Sequence, residues 1–147
     1  MKILISACLL GMRVRYDGKS KTNAAAGALL ERHQLIPVCA EVFGGLPTPR
    51  VPAERVGGRV VTKDGRDVTA EYERGAEEVA RLCGMYGCTL AILKERSPSC
   101  GKGFIYDGTH TGTLTEGNGV LAERLMKMGV RVVGESEMEE MIRRGEL

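Results

Sequence analysis

Four stretches of this chain are apolar with little interruption: Lys2-Ile3-Leu4-Ile5-Ser6-Ala7-Cys8, Leu35-Ile36-Pro37-Val38-Cys39, Cys88 to Leu93, and Val130-Arg131-Val132-Val133. Short apolar runs of this kind are the pattern of strands covered on both faces, as in a parallel sheet between helices. The segments between them carry helical spacing. Asn23 can cap a helix over Ala24 to His33. Thr69 can cap another through Ala70 to about Met85, whose apolar positions Tyr72, Ala76, Val79, Ala80 and Cys83 recur three or four apart. Val120 to Met128 reads as a third helix with Gly129 as its stop, and Ser136 caps a last one over Glu137 to Arg144.

Strands alternating with helices predict a three-layer α/β/α domain over residues 1–147 with a mainly parallel four-stranded sheet. Right-handed crossovers favour the strand order 2-1-3-4. Pro37 lacks an N–H for the ladder and puts the second strand near an edge. Val60 to Val68 alternates around Asp64-Gly65 and predicts a small β-hairpin insertion. Gly44 to Pro52 is too rich in Gly and Pro for regular structure, and long irregular loops in compact domains are usually functional. The Gly- and Thr-rich stretch 104–119 reads as a loop able to close over a site.

Composition narrows the function classes. Hydrophobic residues make up 43% of the 147 and charged residues 27%, which is ordinary globular composition. A net charge of +2 and the absence of Trp offer neither a basic face nor stacking platforms for nucleic acid. No run approaches the roughly 18 apolar residues of a membrane span, and the first apolar piece runs straight into Cys8 without the form of a signal peptide. The expectation is a cytoplasmic protein, monomer or dimer, that acts on a small molecule rather than on nucleic acid or a membrane. In a reducing compartment, five cysteines are not a disulfide framework.

Cys8 and Cys39 end strands one and two, and Cys100 sits on the turn after strand three, where Pro98 and Gly101 stop the strand. In the order 2-1-3 these strands are neighbours, spaced about 5 Å. The three thiols should therefore converge on the crevice at the carboxyl ends of the strands, where open α/β sheets bind ligands. Thiolates there are expected to be acidic and to hold a soft metal. Three cysteines around a zinc ion or a four-iron cluster leave one position open, which separates catalytic from structural centres. The close-set iron–sulfur spacings are missing, so spacing does not choose between the metals. A metal-free thiol enzyme and a metal- or sulfur-carrier protein would use the same three cysteines. Cys83 and Cys88 lie at the opposite end of the sheet and read as core packing.

Other polar residues in these loops have candidate roles. Glu41, two residues past Cys39, can act as general base for a water. Ser99, beside Cys100, can orient substrate or donate a proton, whereas Ser97 precedes Pro98 and serves the turn first. Arg13, Arg15 and Arg50 can face the crevice and hold a carbonyl or an anion. His33 and His110 read as ordinary surface residues.

Three ordered blocks carry a resemblance that covers nearly the whole chain. They are Ser6-Ala7-Cys8-Leu9-Leu10-Gly11 with Val14-Arg15-Tyr16-Asp17-Gly18; Pro37-Val38-Cys39-Ala40-Glu41 with Gly44-Gly45-Leu46 and Pro49-Arg50-Val51-Pro52-Ala53-Glu54; and Lys94 with Ser97-Pro98-Ser99-Cys100-Gly101. Together they resemble the family long known as a domain of unknown function whose characterised members are thiouracil desulfidases. The resemblance implies a [4Fe–4S] cluster held by Cys8, Cys39 and Cys100, with the fourth iron free for the sulfur of a thiolated small-molecule substrate. It also implies Glu41 and Ser99 as acid/base and positioning groups; Arg15, Arg50 and Ser97 stand as lesser substrate-contact candidates from the reading of the loops alone. Purified protein is expected to carry the cluster, zinc or an empty site. One departure is visible: where the family pattern reads Cys-Pro-Glu, this chain has Cys39-Ala40-Glu41.

Overall fold

The structure is a computed structural model that describes residues 1–147. Strand β1 (Lys2–Ser6) runs into a single 3-10 turn, Ala7–Leu10, and is followed by the short helix α1 (Ala24–Ala28) and β2 (Gln34–Val38). Helix α2 (Ala40–Phe43), the hairpin β3 (Ala53–Val56) and β4 (Arg59–Thr62), and the long helix α3 (Thr69–Tyr86) lead to β5 (Leu90–Leu93). A second hairpin, β6 (Phe104–Tyr106) and β7 (Leu114–Glu116), precedes α4 (Val120–Lys127), β8 (Arg131–Gly134) and α5 (Glu135–Arg143).

The main sheet has the expected order, β2-β1-β5-β8, and all its pairs are parallel. β2 is an edge strand, as Pro37 requires. Its register sets Ile3 beside Leu35 and Leu90, and Ile5 beside Pro37 and Ile92. Each strand sends alternate residues to opposite faces, and both faces are covered. Leu4, Val38, Ala91, Leu93 and Val132 pack against Ala76, Val79, Leu121 and Leu125 of α3 and α4. Ile3, Ile5, Ile92 and Val133 pack against Leu9, Ala26, Met138 and Met141 on the other side. Two apolar faces explain why the strands read as unbroken apolar runs.

Several local expectations are corrected. A hairpin that the sequence did not show turns at Gly57-Gly58, with Val56 opposite Arg59; the expected turn at Asp64-Gly65 follows it, where Thr62 N donates to Arg66 O at 2.8 Å and Val68 N to Val60 O at 2.9 Å around an antiparallel bridge from Val61 to Asp67. The first strand of the earlier hairpin, Ala-Glu-Arg-Val, shows no period in sequence. The stretch 104–119 contains β6 and β7; Ile105 of β6 is buried and β7 is exposed throughout, and three residues are too few for a strand period to register. The helix expected over Ala24–His33 is α-helical only to Ala28 and tightens into a 3-10 turn at Leu29–Glu31.

Two caps also differ from expectation. Asp67 Oδ1 accepts from Thr69 N at 2.9 Å at the start of α3, while Thr69 Oγ1 accepts from Val60 N at 2.9 Å. At α5, a carboxylate from the end of β5 does the work assigned to Ser136. Glu95 Oε1 accepts from Ser136 N, and Glu135 Oε1 accepts from Glu95 N, each at 2.6 Å. Long-range partners of this kind leave no trace in a local cap pattern.

Candidate active site

The sheet delivers its cysteines to one place. Cys8 lies in the 3-10 turn that continues β1, Cys39 is the residue before α2, and Cys100 is on the turn after β5. All three line one cavity of about 640 Å³ at the carboxyl ends of the strands. Cys83 and Cys88 stay in the core at the amino end of β5, where Cys83 Sγ donates to Cys88 O at 3.4 Å.

Backbone contact holds two of these segments. A Cβ on Gly75 of α3 would stand 2.6 Å from the carbonyl carbon of Ala40, and one on Gly44 would stand 2.9 Å from that of Glu71. Helix α2, with Cys39 at its start and Glu41 in its first turn, therefore rests directly on α3. The Cys100 turn is held in a similar way. Val120 N and Leu121 N, at the start of α4, donate to Pro98 O and Ser99 O at 2.9 Å each.

Burial decides the protonation of the thiols. Cys8 is pushed up to about 11 by desolvation, then by the nearby Glu41 and Cys39, with Lys94 and Arg15 opposing. Cys39 is raised by burial and Glu41, against the backbone N–H groups of Val42 and Glu41 and the Arg50 charge. Cys100 is raised well above the ordinary thiol range by burial and Glu41, although Ser6 Oγ donates to its sulfur at 3.4 Å. Position at a strand end does not by itself make these thiols acidic: desolvation outweighs the local donors.

Glu41 Oε2 meets Arg50 Nη2 at 3.4 Å, and its Oε1 is 4.0 Å from Cys39 Sγ. Arg50, whose side chain is only 5% exposed, also donates to Val14 O at 2.9 Å, Pro47 O at 3.3 Å and Thr48 Oγ1 at 3.2 Å. Both of its Nη groups are engaged by the protein, so it positions Glu41 and the loop before β2. Arg15 lines the cavity and stacks 5.6 Å over Tyr16; Arg13 is exposed and does not line it.

The two serines exchange places relative to expectation. Ser99 is 0% exposed, has no partner for its hydroxyl and does not line the cavity. Ser97 does line it. Its Oγ accepts from the N–H groups of Ser99 and Cys100 at 3.1 Å each, which leaves its proton to donate. The turn inverts alternate side chains, and a two-residue choice of this kind is invisible in sequence.

Further wall residues escaped the sequence reading: Ser6, Lys94, Glu54 and Tyr72. Lys94 Nζ pairs with Glu135 Oε2 at 2.9 Å, and Tyr72 lines the cavity from a buried position on α3. His110 is also corrected from surface residue to wall residue, next to Glu54.

No three Cys, His, Asp or Glu side chains stand close enough to share one metal ion. Thiolates on a single zinc, at bonds of about 2.3 Å, would have to stand about 4 Å apart. The sequence profile of 2-thiouracil desulfurase matches residues 3–137. The chain belongs to this family.

Members and relatives agree with the fold as well. The chain is 38% identical over 150 residues to the uncharacterized protein YbbK of Bacillus subtilis (strain 168), which covers 95% of this chain and 99% of the relative. It is also similar to the solved structure of the [4Fe-4S]-dependent thiouracil desulfidase TudS, with 48% identity and a TM-score of 0.91 over 97% of this chain and 96% of that one. The expected enzyme family and mixed α/β fold are both borne out. No helix of this 2-thiouracil desulfurase family member is long and apolar enough to cross a membrane.

Proposed function

We propose that this chain is a [4Fe–4S]-dependent desulfidase that exchanges the thiocarbonyl sulfur of a thiouracil-like small molecule for the oxygen of water, without net redox change. The observation that carries the reading is the set of three cysteines from separate strand ends lining one cavity beside a carboxylate. Cys8, Cys39 and Cys100 would hold the cluster, which their convergence on one cavity supports. When bound, the cluster supplies a soft Lewis acid for the thiocarbonyl sulfur.

The remaining chemistry belongs to the chain. Glu41, oriented by the Arg50 guanidinium, takes a proton from the attacking water. Ser97, with its oxygen already accepting two N–H groups, donates its hydroxyl proton toward the developing charge. We assign Ser97 this role in place of Ser99, whose backbone carbonyl caps α4 and whose hydroxyl lies outside the cavity. The balance is a thiocarbonyl and water going to a carbonyl and hydrogen sulfide.

The raised thiols argue against a metal-free thiol enzyme, since the protonated sulfur is a poor nucleophile. The test is anaerobic reconstitution followed by iron, sulfide and turnover measurements on 2-thiouracil. The expected result is about four irons and four sulfides per chain, and uracil with released sulfide as products. Glu41→Gln should keep the iron and lose turnover by about a hundredfold or more. Cluster-loaded protein that leaves the thiocarbonyl intact would sink the reading.

A further inference from the structure

The segment 107–113, between β6 and β7, is built with unusual care for a surface loop. Asp107 Oδ1 accepts from Thr109 N at 2.9 Å and from Thr109 Oγ1 at 2.6 Å. Gly108 packs against the first hairpin, where a Cβ would stand 3.3 Å from Val56 Cβ, and its φ of 95° suits only glycine. His110 itself has a φ of 58°, a conformation that costs a side-chain-bearing residue energy.

Glu54 of β3 holds this arrangement. Its Oε1 accepts from the N–H groups of Gly108 at 2.9 Å and His110 at 3.0 Å. Its Oε2 faces His110 Nδ1 at 3.5 Å, and the two side chains are only 12% and 17% exposed. One oxygen is enough to pin the loop; the other stands beside the Nδ1 edge of the imidazole. His110 lines the same cavity as the three cysteines, and its Nε2 bonds to no protein group.

We propose that His110 is a substrate-binding and specificity-determining residue, whose Nε2 accepts a hydrogen bond from a ring N–H of a cyclic thioamide, with Glu54 as its positioning residue. The inference rests on the desulfidase reading above. A carboxylate beside Nδ1 favours the tautomer with its proton there, and that tautomer keeps its lone pair on Nε2. Thiouracil carries ring N–H groups beside its thiocarbonyl carbon, and a site built to bond such a group rejects analogues that lack it.

The experiment compares reconstituted wild type, His110→Ala and Glu54→Gln on 2-thiouracil and its two ring-N-methyl derivatives, with calorimetric titration of each protein by uracil. His110→Ala should raise KM about tenfold, the effect of one lost hydrogen bond, with kcat within about twofold and iron content unchanged. Uracil affinity should fall by the same factor, and discrimination against one N-methyl isomer should collapse. In Glu54→Gln the amide oxygen still accepts both backbone N–H groups, but the amide N–H now faces Nδ1 and forces the proton onto Nε2. That variant should keep the loop and iron yet lose the same discrimination.

KM, uracil affinity and N-methyl discrimination within about twofold of wild type in His110→Ala would overturn the proposal. So would loss of iron along with binding, which would make His110 a support of the cluster or fold. Wild type that binds uracil through His110 but leaves thiouracil intact would instead remove the desulfidase function and leave this binding role standing.

Discussion

Helix α3 contains two glycines, and alanine at each should have opposite effects. At Gly84 nothing lies within 4 Å of an added Cβ, so Gly84→Ala adds a methyl to open space and removes unfolded-chain entropy. That should stabilise the protein by about 0.5–1 kcal/mol. At Gly75 the Cβ would stand 2.6 Å from the carbonyl carbon of Ala40 and closer still to its oxygen. It lands roughly 1.5 Å inside ordinary contact distance, and the obstacle is backbone that no rotamer change can clear. The two helices must separate, at a cost of about 3 kcal/mol, the upper end for an overpacked core.

The displaced partner is α2, which carries Cys39 and Glu41, so the cost extends to function. A shift of about 1 Å in a reacting group is enough for about a hundredfold loss in rate. Urea unfolding of the cluster-free proteins gives the stability change at constant m, and iron content and turnover after reconstitution give the functional one. If Gly75→Ala matches wild type in midpoint and iron, α2 does not depend on close backbone contact and the account of how Cys39 is placed is wrong. If Gly84→Ala is destabilising by a similar amount, the effect is a property of helix glycines and not of this contact.

Other outcomes follow from the same geometry. Arg50→Ala releases Glu41, Val14 O and the turn at Pro47, and should lower kcat about tenfold to a hundredfold with iron retained; unchanged kcat would remove Arg50 as the positioning group. Ser6→Ala leaves the N–H of Lys94 without its 2.9 Å acceptor and Cys100 Sγ without its donor. It should cost about 1–3 kcal/mol in urea unfolding, and a neutral effect would show that water or Cys100 replaces the hydroxyl. For pH, Cys8 remains protonated in the fold until about 11 against an ordinary value of 9.0. The unfolded chain thus loses that proton first. Stability of the cluster-free protein is whole below pH 9 and falls through the window from 9 to 11, at about 1.4 kcal/mol per pH unit for this thiol. Cys8→Ser should flatten that slope, and an unchanged slope would assign it to other groups.

The parts legible in sequence are those that depend on burial against one sheet. Ile3, Leu4 and Ile5 read as a two-faced strand because both neighbouring layers are apolar, and the period of a strand reports that directly. Strand order followed from the handedness of crossovers, and the edge position of β2 from the missing N–H of Pro37. Together these were enough to bring Cys8, Cys39 and Cys100 to one end of the sheet, where they line one cavity.

Tertiary structure decided everything set by groups distant in sequence or by loop torsions. The thiols rise instead of falling because desolvation and the Glu41 charge act together on each sulfur, a sum no local spacing contains. Ser97 faces the cavity and Ser99 does not because one turn, braced by the amides of α4, sets which side chain points inward. Glu95 caps α5 from another loop, Gly75 is where two helix backbones meet, and Glu54 turns a lone histidine into a wall of the site. Periodicity records which side of an element is dry; it carries no record of which distant partner meets it there.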